Sequence, residues 1–157
     1  MMKRSSLLIL FLALAFVACN QDNKEPEFNV LGYWNLIEIR SHVPADMGAT
    51  EVDFEEKYIF NDDGTFIKTT QRSKKGDLLE IPLQAFGKYE LLEVDELNTN
   101  IAQTFLLTFE TNTHMAATCE QDFTEVVYIT HDNKLFNMSW FACDGPGFVY
   151  SKRGRLF

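Results

Sequence analysis

Asn61-Asp62-Asp63-Gly64 lies between two short segments, residues 57–60 and 65–71, rich in aromatic and β-branched side chains. Asn and Asp start a type I turn readily, and a glycine in the fourth place takes the left-handed conformation beside a G1 bulge. The tetrad therefore joins two antiparallel strands. The register that follows sets Phe60 opposite Phe66 and Tyr58 near Lys68, with the aromatic rings on one face, read as the interior. No stretch beyond the first twenty residues carries a helical pattern of convincing length, so the chain is confined to all-β folds.

The same period of two recurs along the chain. Gly32-Tyr33-Trp34 opens a run to Arg40 in which Tyr33, Asn35, Ile37 and Ile39 face one way and Trp34, Leu36 and Glu38 the other. Residues 77–82 predict a short edge strand whose pairing Pro82 limits. Residues 87–92 predict a strand presenting Tyr89 and Leu91 together. In 103–110, Phe105, Leu107 and Phe109 alternate with Thr104, Leu106 and Thr108. Strands follow at 123–130, at 135–141 with Phe136, Met138 and Trp140 on one face, and at 148–153.

Eight principal strands joined in order predict an antiparallel up-and-down barrel, because closure removes the sheet edges that invite aggregation. A two-sheet sandwich is the alternative. In a meander the connections after the first, third, fifth and seventh strands share one end. The long patternless stretches 41–55 and 111–122 both fall there, which makes that end the mouth. Cys119 and Cys143 also lie there, nearly equidistant from the turn His131-Asp132-Asn133-Lys134, within reach of a bridge. Such a bridge stabilises by about 3 kcal/mol in the loop-entropy model; two reduced, buried thiols are the other possibility.

The N-terminus carries Lys3 and Arg4, then an apolar run over residues 7–18, and then Cys19. The run holds 12 residues, too few for a stable membrane-spanning helix, and reads as a cleaved signal peptide. Phe16-Val17-Ala18-Cys19 resembles the lipobox of bacterial lipoproteins, with Phe16 where an aliphatic residue is usual. The resemblance implies acyl chains, palmitate among them, on Cys19, each buried methylene worth about 0.8 kcal/mol at a membrane. It also implies a bacterial cell-envelope location, anchored to the outer membrane on its periplasmic or surface face. Lys24-Glu25, behind the cysteine, is similar to the charged export signals of some surface lipoproteins. The expected organisation is a signal peptide over 1–18, a polar tether over 19–29, and one domain over 30–157. Loss of the first 18 residues takes the formal charge from −9 to −11, which makes nucleic acid a poor partner.

Gly32-Tyr33-Trp34 matches the Gly-x-Trp start of lipocalins. The segment from Phe60 through Asn61-Asp62-Asp63-Gly64 to Phe66, with Gly87-Lys88-Tyr89, resembles the lipocalin-like domains of small bacterial lipoproteins. The resemblance implies that Trp34 plugs the closed end and that a cation from the last strand, Arg153 or Arg155, lies across it, worth about 0.5–2 kcal/mol.

Reaction chemistry finds no support in the sequence. His42, His114 and His131 are scattered without metal-ligand spacing, no nucleophile motif occurs, and no cofactor loop is present. The chain is expected not to be an enzyme and to need no cofactor or metal. A barrel of eight strands is either filled or holds one small ligand. The interior set expected near the mouth is Glu38, Tyr58, Lys68, Tyr89, Phe109, Trp140 and Phe148, an apolar wall with a few polar groups. Two functional expectations follow: a lipid-anchored barrel binding a small hydrophobic or amphipathic ligand, or a packed barrel whose acidic loops dock a protein, including a hydrolase to be inhibited. The sequence names no protein partner.

Overall fold

A computed structural model describes residues 29–41, 52–73, 75–93, 99–119 and 121–152. The expected signal peptide, Cys19, the tether up to residue 28, His42, Arg153 and Arg155 lie outside them. Eight strands follow one another: β1 Gly32–Arg40, β2 Glu56–Phe60, β3 Thr65–Arg72, β4 Leu78–Leu92, β5 Ile101–Phe109, β6 Thr124–Thr130, β7 Lys134–Asn137 and β8 Gly147–Lys152. Each pairs antiparallel with the next, and β8 returns to pair with β1, so the sheet closes into an up-and-down barrel. One closed sheet replaces the sandwich alternative.

The turn chemistry accounts for the hairpin from which the barrel is read. Gly64 has φ +82°, and Phe60 pairs with Phe66 and Tyr58 with Lys68. The predicted alternation of β5 also holds, with Phe105, Leu107 and Phe109 buried in the core. Three elements differ from expectation. The segment around Pro82 is not a separate edge strand but the first half of a 15-residue β4. Its ladder to β3 is irregular opposite Gln71, between the Thr70–Leu83 and Arg72–Leu78 pairs, and Pro82 falls in that gap where no backbone donor is needed.

The second difference is β7, which ends at Asn137 rather than running to 141. A 3-10 turn at Phe141–Cys143 follows, so Trp140 reaches the interior from a connection and not as one of a row with Phe136 and Met138. Phe136 instead faces outward, stacked on Tyr128 with ring centroids 5.3 Å apart and covered by the Arg40 guanidinium. The third is a bulge in β1 between Leu36 and Glu38. Trp34 and Leu36 point inward, the bulge shifts the alternation by one, and Ile39 rather than Glu38 packs against the core.

The closed end is dense. Trp34 is fully buried, its indole N–H donating to the Val30 carbonyl at 2.6 Å. The Lys152 ammonium lies 5.5 Å from the indole ring and donates to the Asn29 carbonyl at 2.6 Å. Among the described residues, the last strand thus supplies Lys152 as the cation across the plug. Above it, Phe60, Phe66, Tyr89, Phe105 and Phe109 meet largely edge to face, as ring quadrupoles favour.

Gly87 permits the closest of these approaches. A Cβ there would lie 2.6 Å from the Phe66 ring and 2.2 Å from the Thr108 carbonyl oxygen. Gly87→Ala is therefore expected to cost about 1–3 kcal/mol through overpacking. Urea unfolding of the variant measures it, and an unchanged midpoint would mean that Phe66 does not need the space.

Candidate functional site

Halfway along the barrel the side chains change character. Inward positions of β2, β3, β6, β7 and β8 carry Glu56 and Tyr58, Lys68, Glu125, Asn137 and Tyr150, and all but Glu56 are fully or almost fully buried. The Lys68 ammonium donates to Glu125 Oε1 at 2.8 Å and to the Met115 carbonyl at 3.1 Å. Glu125 receives two more donors, the Tyr58 hydroxyl on Oε2 at 2.5 Å and the Ala117 backbone N–H on Oε1 at 2.6 Å. Asn137 Nδ2 donates to the Tyr58 hydroxyl oxygen at 3.2 Å. Tyr150 donates to Glu56 Oε1 at 2.6 Å, and its ring lies 4.9 Å from that of Tyr58. Burying charges is costly unless each is paired and hydrogen-bonded; here Lys68 and Glu125 pair directly across the barrel, and Glu56 is held by the Tyr150 hydroxyl with the ammonium 3.9 Å away.

Toward the mouth the interior opens into a cavity of about 490 Å³. Lys68 and Glu56 form its floor. Ile39, Leu83, Met115, Ala116, Trp140 and Phe148 supply most of its apolar wall, with Thr70 as a polar neighbour and Arg72 and His114 exposed at the rim. The lining comes from the ends of the strands and from the β3–β4, β5–β6 and β7–β8 connections, the end that the meander designates as the mouth.

Two features hold this wall in place. Cys119 and Cys143 are bridged, with Cα atoms 5.9 Å apart, which fastens the β5–β6 connection to the β7–β8 connection. Beside the bridge, the Trp140 indole donates to the Thr118 carbonyl at 3.0 Å and leans on Phe148, ring centroids 5.9 Å apart. Phe123, another lining residue, has φ 58°, a left-handed conformation that is strained for a bulky side chain. Such strain persists where surrounding structure enforces it, often beside a site.

The expected interior set divides accordingly. Lys68, Trp140 and Phe148 line the cavity. Tyr58 and Phe109 lie beneath it, with the Lys68 ammonium 5.1 Å and 5.8 Å from their ring centroids. Tyr89 belongs to the opposite end, its hydroxyl donating to the Asn61 carbonyl at 2.6 Å in the β2–β3 turn. Its misplacement follows from the length of β4, whose mouth half begins nine residues earlier, at Leu78, than the strand expected at 87. Glu38 is on the outer surface, paired with Arg40 at 2.6 Å, because of the β1 bulge. Glu56 and Glu125, the two carboxylates that matter most, were not anticipated. Glu125 shares a face with Val127 and Ile129, and that face was its signal.

The network has a titration signature. Burial, reinforced by the neighbouring Glu125, pushes the Tyr58 hydroxyl well above its ordinary range. Burial and Glu56 do the same for Tyr150. For Lys68 burial acts downward, but Glu125, with Tyr58 and Glu56, outweighs it and raises the ammonium above its usual value. All three groups keep their protons in the folded protein at a pH where the unfolded chain releases them. Their contribution is therefore complete below about pH 10 and is lost as the pH rises beyond it. The unfolding free energy, followed by urea titration, is expected to fall above about pH 10 by about 1.4 kcal/mol per pH unit for each group. Tyr150→Phe should remove one share of that slope, and an unchanged slope would contradict the assignment.

No protein-family model matches the chain, and no curated protein matches it.

Proposed function

We propose that this is a lipid-anchored cell-envelope protein with a lipocalin-like barrel that binds one small hydrophobic or amphipathic molecule at its open end. The observation that carries the reading is the cavity. At about 490 Å³ it lies within the range of roughly 300–1,000 Å³ typical of small-molecule sites. Its lining has the expected character, apolar and aromatic walls with a few converging polar groups on the floor. The other reading, docking of a protein through acidic loops, presumes a packed interior and does not account for a hollow above a sealed polar layer. Anchoring rests on the sequence alone: the apolar run, the Ala18-Cys19 junction and the polar tether behind it.

Trp140 reports on the site directly, since it lines the cavity while Trp34 is buried at the far end. Titration with n-octanol and with a fluorescent apolar probe should shift the Trp140 emission saturably, and the shift should vanish in Trp140→Phe. Leu83→Trp, which fills the cavity from β4, should weaken binding about tenfold or more while the far-UV spectrum remains that of a barrel. Binding unaffected by Leu83→Trp would place the ligand elsewhere.

The anchor is tested separately. Cys19→Ala, expressed from the full chain in a Gram-negative host, should move the protein from the membrane fraction to the soluble one, with loss of radiolabelled palmitate incorporation. Retention in the membrane without the cysteine would overturn lipid anchoring.

A further inference from the structure

The charges of the cavity floor do not cancel. Among the described residues Lys68 is the one buried cation there, and its ammonium is committed to Glu125 Oε1 and the Met115 carbonyl. Glu125 is likewise committed, with three donors on its two oxygens. Glu56 is the second carboxylate on that single cation, held by the longer of its two ion pairs. Its carboxylate is nine-tenths buried and lines the cavity, and its nearer oxygen lies 3.9 Å from the Lys68 ammonium, beyond hydrogen-bond reach. Tyr150 supplies its one hydrogen bond among the described side chains, and that donor is neutral.

A second, independent feature is the wall. Trp140, Phe148 and Phe123 border the same space, and aromatic faces attract cations, most strongly once water is excluded. The positive groups at the mouth do not balance the floor. Arg72 is exposed, its guanidinium over the Phe54 ring at 5.0 Å and its Nε donating to the Gly76 carbonyl at 3.2 Å, and His114 is exposed as well. Charges at the rim are screened by solvent and salt, whereas a formal charge of −1 on a buried floor acts through low dielectric.

From this geometry we infer that the cavity selects organic cations: molecules with an ammonium head that meets Glu56 on the floor and an apolar body that lies against Trp140 and Phe148. The inference rests on the ligand-binding reading above and narrows its ligand class. A carboxylate head would meet Glu56 as a like charge, with no free buried cation among the described residues to receive it, and an alcohol would gain only a hydrogen bond.

Three probes of matched chain length separate the cases: n-octyltrimethylammonium, n-octanol and n-octanoate, each titrated against the full chain and followed by Trp140 emission. The ammonium is expected to bind at least tenfold more tightly than octanoate. Glu56→Gln, which keeps an acceptor for Tyr150, should bring the two within about threefold. Asp62→Asn, in the β2–β3 turn at the closed end, should leave the preference intact and so controls for attraction to an acidic surface. Equal or tighter binding of octanoate or octanol would overturn the cation preference and leave the ligand-binding reading standing. A preference that survives Glu56→Gln would overturn the role of Glu56. Failure of all three probes to bind would remove both readings.

Discussion

The Lys68–Glu125 ion pair is the interaction around which the rest of the barrel is arranged. It joins β3 to β6 across the interior and, through the Met115 carbonyl and the Ala117 N–H, pulls the β5–β6 connection inward over the barrel end. A buried pair of this kind gains little over a well-packed apolar pair, yet losing one partner costs about 3–5 kcal/mol because the other is stranded. Its effect is therefore positional more than energetic. Tyr58 and Asn137 complete a polar layer that separates a filled lower half from a hollow upper half.

Much of this architecture was legible in the sequence because it follows from local rules. A left-handed glycine after Asn-Asp-Asp admits few conformations, so the β2–β3 hairpin and its register could be read directly. Once the strands were counted, the end on which the connections lie followed from the meander, and with it the nearness of Cys119 and Cys143. The failures are equally local. A bulge adds one residue to a strand and reverses every later side chain, and nothing in Leu36-Ile37-Glu38 announces it, so Glu38 was assigned to the wrong face. Pro82 suggested a break where the ladder simply skips it, and the shortened strand moved Tyr89 to the wrong end. Glu125 was missed, although it shares a face with Val127 and Ile129 and pairs across from buried Leu107.

Strand length explains why the mouth is built as it is. β7 spans only four residues and ends in the polar layer, at Asn137, whereas β4 spans fifteen. On the short side the wall above the layer is made of connections, which lack the ladder hydrogen bonds that hold strands together. The bridge between Cys119 and Cys143 and the bond from the Trp140 indole to the Thr118 carbonyl stand in for that missing ladder. Trp140 thereby acquires a fixed orientation at a place where alternation along β7 could not have provided one.

The two halves consequently carry different loads. The lower half buries Trp34, Phe60, Phe66, Phe105, Leu107 and Leu135 in mutual contact, and each well-packed side chain there contributes hydrophobic and dispersion energy. The lining of the cavity gives up part of that packing, because it faces the opening and not other side chains. A cavity of this size keeps its shape only if collapse is blocked, and the structure blocks it from three directions. The polar layer cannot rise without stranding Lys68 or Glu125, the closed sheet cannot narrow without breaking its ladder, and the bridged connections cannot fold inward past Trp140. The hollow is thus a consequence of the same pairings that stabilise the barrel, which is why its floor is charged and its walls are aromatic.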